Sequence, residues 1–348
     1  MFRDLAHLEP GPVGDVLVGA GEAVGSVTEL HIERIDEGTG FLGTLARLHL
    51  TWDGDGPASI VAKLPTTIPA NQEIVDRFGY DRREAGVYRD LRPWEKAPVP
   101  RALAQHWDDA AGRGWLFLED LGDHRAADGL AGATPAEALA VAETLARWHA
   151  AHWNDPTIGA HAWLPQPTDP VVAGYGEIFD MTWEICVAKL GDVDDATASA
   201  AAASRRWFDV AIDEFSVGDR TVVHGDARLD NFRFGPAGAV ALDFQLAAVG
   251  RGAYDLAFFC AGSLEPDVRR AIESDLLARY RTTLASLDVA LDEDELWRDY
   301  RLGHMMNLPN PVSALAVVAP ADDRGAAFLR RNCERGLAAV ADHVTLLG

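Results

Sequence analysis

A chain of 348 residues, 48% hydrophobic and 24% charged, holds enough apolar material for one large domain or two smaller ones. Its formal net charge of −23 argues against a nucleic-acid partner, because binding a phosphate backbone needs a basic face. No run approaches the roughly 18 apolar residues of a membrane span. The start MFRDLAHLEP lacks an apolar signal core, and Cys186, Cys260 and Cys333 form no CxxC pair, so the expectation is a cytoplasmic protein with reduced, buried thiols and no membrane contact.

The first 120 residues read mostly as strands. Val27 to Ile35 alternates, and Leu48, Leu50 and Trp52 alternate with Arg47, His49 and Thr51 at strand period. Between them Gly38-Thr39-Gly40-Phe41-Leu42-Gly43 has the form G-x-G-x-x-G. A dinucleotide fold would place a helix next; here a second strand and the Asp53-Gly54-Asp55-Gly56 turn follow, which favours a glycine flap over phosphates. A glycine-rich hairpin with no ligand is the plainer alternative.

Ser59 to Leu64 is the third strand, and it ends in Ile60-Val61-Ala62-Lys63. The chain has 28 arginines and only three lysines, so a lysine there suggests a point charge for the α- and β-phosphates. Its partner would be Glu84, on a helix expected over Asn71 to Leu91; Glu73, Asp76 and Asp81 lie close by as alternatives. Trp115 to Leu118 is a further strand, running into Glu119-Asp120-Leu121. There the Glu119 carbonyl and the Leu121 N–H would read an adenine, with Val61 and Leu242 covering its faces.

Helices dominate afterwards. Thr134-Pro135-Ala136-Glu137 is a capping box that opens a helix to about Trp153. Residues 195–215, 265–287, 292–306 and 324–346 also read as helices, and 155–170 and 308–320 read as proline-rich loops. His149 and His152 could form a metal pair, but no third ligand follows and core histidines are the better reading. The expected order is a β-rich N-lobe (1–118), a hinge (119–121) and a helical C-lobe (122–348).

The C-lobe carries His224-Gly225-Asp226-Ala227-Arg228-Leu229-Asp230-Asn231, then Asp243-Phe244-Gln245. Thr221-Val222-Val223 reads as a strand before it, and Phe232-Arg233-Phe234 with Ala239 to Leu242 as a hairpin around Gly235-Pro236-Ala237-Gly238. Phosphoryl transfer needs one carboxylate to take a hydroxyl proton and oxygen ligands to hold magnesium on ATP. Asp226 is the candidate base, and Asn231 and Asp243 are the candidate metal ligands. Arg228 either offsets charge on the transferring group or pairs with Asp230 or another surface carboxylate. Asp255 is expected to accept backbone N–H bonds from the catalytic loop.

H-G-D-x-x-x-x-N at 224–231, D-F-Q at 243–245 and D-L-A at 255–257 resemble the aminoglycoside phosphotransferase and choline kinase superfamily. The D-F-Q variant and the hinge L-F-L-E-D-L at 116–121 are most similar to its ecdysteroid-kinase-like branch. The resemblance covers about residues 27 to 290. It implies an α+β, protein-kinase-like two-lobe fold and ATP- and Mg2+-dependent phosphorylation of a hydroxyl on a small molecule. Only eleven residues separate Asp243 from Asp255, which leaves no room for an activation loop and excludes a protein kinase. A nucleotide-binding pseudokinase is the alternative, although it would typically lack one of the base, metal ligands or lysine.

Overall fold

The computed structural model describes residues 2–35, 43–320 and 322–347. The chain forms two compact units, Met1–Asp123 and His124–Gly348.

The first unit is built on β1 (Val27–Arg34), β2 (Gly43–Trp52), β3 (Ser59–Pro65), β4 (Ala102–Asp108) and β5 (Arg113–Glu119). They form one antiparallel sheet in the order β1-β2-β3-β5-β4. Ala46, Leu48 and Leu50 are buried at alternate positions of β2, as a sheet with one covered face requires. Their core is shared with Ile60, Ala62, Phe117 and the helix α1 (Pro10–Gly19), whose Val13 and Leu17 are fully buried. The expected hairpin turn at Asp53–Gly56 is present, its Asp53 carboxylate accepting from the Ser26 N–H at 2.5 Å.

The helix expected over Asn71 to Leu91 is broken. It divides at Gly79 (φ +68°) into α2 (Pro69–Phe78) and α3 (Tyr80–Gly86), and α3 continues as one π-turn, Val87–Leu91. A left-handed glycine ends α2 because its amide can then bond back to the Val75 carbonyl. The strand β4 and the helix α1 carry no strong local signal and went unread.

The second unit begins with a short β6 (Arg125–Ala126) and α4 (Pro135–Ala150), which Thr134 and Glu137 cap reciprocally as expected. Then come α5 (Pro170–Ala173), α6 (Tyr175–Leu190) and α7 (Asp195–Phe215), followed by the strands β7 (Thr221–Val223), β8 (Phe232–Gly235), β9 (Gly238–Ala241) and β10 (Ala248–Gly250). The chain closes with α8 (Ala253–Ser263), α9 (Pro266–Ala285), α10 (Glu293–Asn307), α11 (Pro309–Val317) and α12 (Asp323–His343). The strands pair as β10-β7 and β6-β8-β9.

Two further readings need correction. The helix expected to reach Trp153 stops at Ala150. The stretch 308–320 is largely helix α11, because Pro309 at its first turn has no amide to lose there. Cys186 and Cys333, remote in sequence, meet in the core of α6 and α12 with their sulfurs 3.5 Å apart; all three cysteines are free and buried. Among the described residues no helix is long and apolar enough to cross a membrane.

Candidate active site

The loop after β7 is shaped by one glycine and one buried carboxylate. Gly225 has φ +83°, and a Cβ on it would lie 2.1 Å from the Leu246 carbonyl oxygen. No other residue fits, which explains a glycine before the aspartate. Asp255, at the start of α8 and fully buried, accepts from the His224 N–H at 2.6 Å and the Gly225 N–H at 2.9 Å, as expected. Its Oδ2 also accepts from His149 Nε2 at 2.9 Å. His149 is therefore a core bracing residue, held on its other nitrogen by the Tyr280 hydroxyl at 2.8 Å.

His224 is fully buried and bonds at both nitrogens. Nε2 donates to the Leu242 carbonyl at 2.8 Å, and Nδ1 accepts from the Asp226 N–H at 3.3 Å. A carbonyl can only accept and an amide can only donate, so these partners select the Nε2–H tautomer. His224 thereby ties the loop to the end of β9.

Asp226 follows, its side chain 16% exposed. Asn231 donates from Nδ2 to the Asp226 carbonyl at 2.8 Å and to its Oδ2 at 3.0 Å. The amide nitrogen is thus committed, and Oδ1 is the atom of Asn231 left to act as a ligand. Oδ1 of Asp226 has no hydrogen-bond partner among the described residues. Asn231 is anchored through its backbone, where its carbonyl accepts from Leu242 N–H at 2.8 Å. Asp243, just past β9, has φ +65°. A non-glycine residue in this region is uncommon and is found most often at constrained sites, with Asp among the more tolerant types.

Arg228 Nε lies 3.5 Å from Asp226 Oδ2. The Asp226 carboxylate, followed by those of Asp230 and Asp243, pushes the guanidinium further up against the opposing effect of burial. Three carboxylates therefore share one cation. The carboxylate that Arg228 pairs with is Asp226 rather than Asp230.

Sequence reasoning passed over Tyr254, quoting its segment only for Asp255. Burial raises the Tyr254 phenol well above its ordinary value, and the carboxylates of Asp255 and Asp226 add to this. The signal was its place one residue before Asp255.

In the first unit, Lys63 Nζ lies 2.8 Å from Glu84 Oε1 and 2.6 Å from Oε2, both side chains largely buried at 13% and 7% exposure. The carboxylate that meets Lys63 is the expected one. Asp76 instead binds Arg113 at 2.7 Å. Val61 lies on the same face of β3, paired with Leu118. At the end of β5, Glu119 donates its N–H to the Arg101 carbonyl and accepts the Arg101 N–H on its side chain. Leu121 follows on the loop beyond β5. Leu242 is half-buried, with both backbone groups used by the catalytic loop. Gly43 opens β2, whereas Gly38 and Gly40 lie outside the described residues.

The candidate ligands Asn231 and Asp243 would each offer oxygen, the donor type that suits magnesium. Among the described residues no three His, Cys, Asp or Glu side chains gather as a metal site.

A sheet-based unit with a buried lysine–glutamate pair and a helical unit with this aspartate–asparagine loop together define an α+β, protein-kinase-like fold. Residues 81–290, more than half of the chain, match the phosphotransferase enzyme family. The chain belongs to that family. Choline kinase from Cryptosporidium parvum Iowa II is similar in structure, with TM-score 0.60, 11% identity, 91% of this chain and 90% of that chain covered. Ethanolamine kinase from Plasmodium vivax is similar at TM-score 0.54 and 14% identity, covering 87% of this chain and 81% of its own. A choline kinase from Streptococcus pneumoniae gives 0.51 and 13%, with 95% and 98% covered. No curated protein matches the chain in sequence.

Proposed function

We propose that this phosphotransferase is an ATP-dependent kinase that phosphorylates a hydroxyl on a small molecule, with Asp226 orienting that hydroxyl and taking its proton. The observation that carries this reading is the Asp226 carboxylate itself. Its Oδ2 accepts from Asn231 and stands 3.5 Å from Arg228 Nε, while Oδ1 is left for an acceptor. A loose phosphoryl-transfer transition state asks little covalent chemistry of the protein, so alignment and charge compensation dominate.

Asn231 Oδ1 and the Asp243 carboxylate would hold magnesium, which when bound with ATP offsets charge on the phosphates. Lys63, braced by Glu84, is the cation for the α- and β-phosphates, with Gly38, Gly40 and Gly43 as a covering loop. Glu119 and Leu121 offer backbone groups to the base, and Val61 and Leu242 offer apolar surface. Arg228 neutralises the transferring group while its own charge is balanced by Asp226, Asp230 and Asp243. The D-F-Q triplet and the hinge L-F-L-E-D-L favour the ecdysteroid-kinase-like branch. The net charge of −23 favours an acceptor other than nucleic acid, and a small-molecule acceptor in the cytoplasm, away from the membrane, completes this reading.

The test is ATP consumption with magnesium across aminoglycosides, macrolides, steroids, sugars and choline. One acceptor should give a rate that falls by roughly 10²–10⁴-fold in Asp226→Asn. The thermal shift caused by MgATP should persist in that variant. A variant with full turnover would remove Asp226 from the chemistry, and a chain that shifts with MgATP but turns over no acceptor would point to a regulatory pseudokinase.

A further inference from the structure

Glu119 and Leu121, the two residues whose backbone would meet the base, flank Asp120, which has no part in the phosphotransfer reading. The Asp120 side chain is largely buried, 7% exposed. Three donors from three segments meet its carboxylate. Oδ2 accepts from Arg47 Nε on β2 at 2.8 Å and from the Ser59 hydroxyl at the start of β3, also at 2.8 Å. Oδ1 accepts from the Gly122 N–H at 3.1 Å, closing an Asx-turn in which Gly122 takes φ +56°. Burial alone would raise this carboxyl, yet the bonds from Ser59, Gly122 and Arg47 hold it below the ordinary aspartate value.

The strand register places these groups beside the base-facing surface. Arg47 pairs with Val61, Val61 with Leu118, and Ile60 with Glu119, so Asp120 comes level with Ser59 just past the last paired position. Side chains alternate along a strand, which puts Ser59, Val61 and Lys63 on one face, with Arg47 next to them. The Asp120 carboxylate thus reaches back onto the face that carries Val61 and Lys63 and ties the loop after β5 to two strands. An exposed ion pair would add little, but here the anion is shielded and both of its oxygens are engaged.

We propose that Asp120 is a positioning residue for the nucleotide base: it clamps residues 119–122 against β2 and β3 and so presets the backbone of Glu119 and Leu121. This rests on the phosphotransfer reading. A preset loop removes an ordering cost from binding, so loosening the clamp weakens the grip on the base and leaves Lys63, which faces the phosphates, as it was.

The experiment is calorimetric titration of the full chain with MgATP and, separately, with magnesium tripolyphosphate, which has the phosphates and no base. Asp120→Asn keeps the shape but turns an uncharged amide toward Arg47 and Ser59. It should bind MgATP roughly ten-fold more weakly and tripolyphosphate within about two-fold of the unsubstituted chain. A merely structural role would weaken both ligands alike. Arg47→Gln, at a partly exposed position, should act in the same direction by loosening the same clamp, and the double variant should weaken MgATP by less than the product of the two single factors. Equal loss of both ligands, or no loss of either, overturns the proposal, and MgATP binding by the unsubstituted chain then leaves the phosphotransfer reading standing. An unsubstituted chain that binds no MgATP overturns both.

Discussion

Gly225 shows how far one residue type can constrain a reacting loop. Its φ of +83° and the 2.1 Å that would separate a Cβ from the Leu246 carbonyl act together, so alanine fails on both counts. The carbonyl belongs to backbone and cannot swing aside as a flexible side chain would. Gly225→Ala should therefore cost at least about 1–3 kcal/mol, the range for a side chain forced into a sparsely populated backbone region. Urea denaturation measures it, and an unchanged midpoint would show that the loop has another conformation available. Asp243 holds the opposite kind of position, keeping a side chain at φ +65° where glycine would be easier. A carboxylate retained at a strained backbone is consistent with the ligand role proposed for it.

Between elements, Asp255 ties α8 to the loop after β7 and to α4 through His149. Three donors converge on one buried carboxylate, and no second acceptor is at hand. Asp255→Asn replaces an acceptor oxygen with an NH2 group facing N–H donors, so it should destabilise by about 3 kcal/mol or more. Thermal unfolding of the variant checks this; a shift of a degree or less would mean that the loop holds itself without α8. This tie was legible in the sequence because Asp255 opens a helix shortly after the hairpin. Local spacing likewise exposed the β8–β9 hairpin, the α4 capping box and the pairing of Lys63 with Glu84. What stayed illegible depends on tertiary context. Pro309 and Pro311 read as a loop although a helix accepts proline in its first turn, and the helix expected over Asn71 to Leu91 is divided where Gly79 reverses the backbone between α2 and α3. The meeting of Cys186 with Cys333 follows from how α6 and α12 pack, which no local pattern encodes.

Across the whole molecule the charge is strongly negative, yet one buried acid works against the folded state as pH rises. Asp299, on α10 and 4% exposed, is pushed by burial from 3.8 to about 6, although Arg251 at 2.9 Å pulls the other way. The native state therefore holds this proton more tightly than the unfolded chain does. Below about 3.8 the two states are equally protonated at Asp299, and its favourable contribution is complete. As pH rises through the window from 3.8 to about 6, the unfolded chain ionises first, and stability falls by an amount on the order of 3 kcal/mol. Paired carboxylates such as Glu273, Glu265 and Asp342 are held below their ordinary values, and their contribution runs in the opposite direction, lost as pH falls. The two trends overlap in a raw pH profile, so the informative quantity is a difference. Asp299→Asn keeps the shape and removes the titration. Its unfolding midpoint relative to the unsubstituted protein should rise steadily between about pH 4 and 6 and then level off. A difference that stays flat across that window would mean that Arg251 compensates the buried charge fully, and that Asp299 is ionised at every pH at which the fold survives.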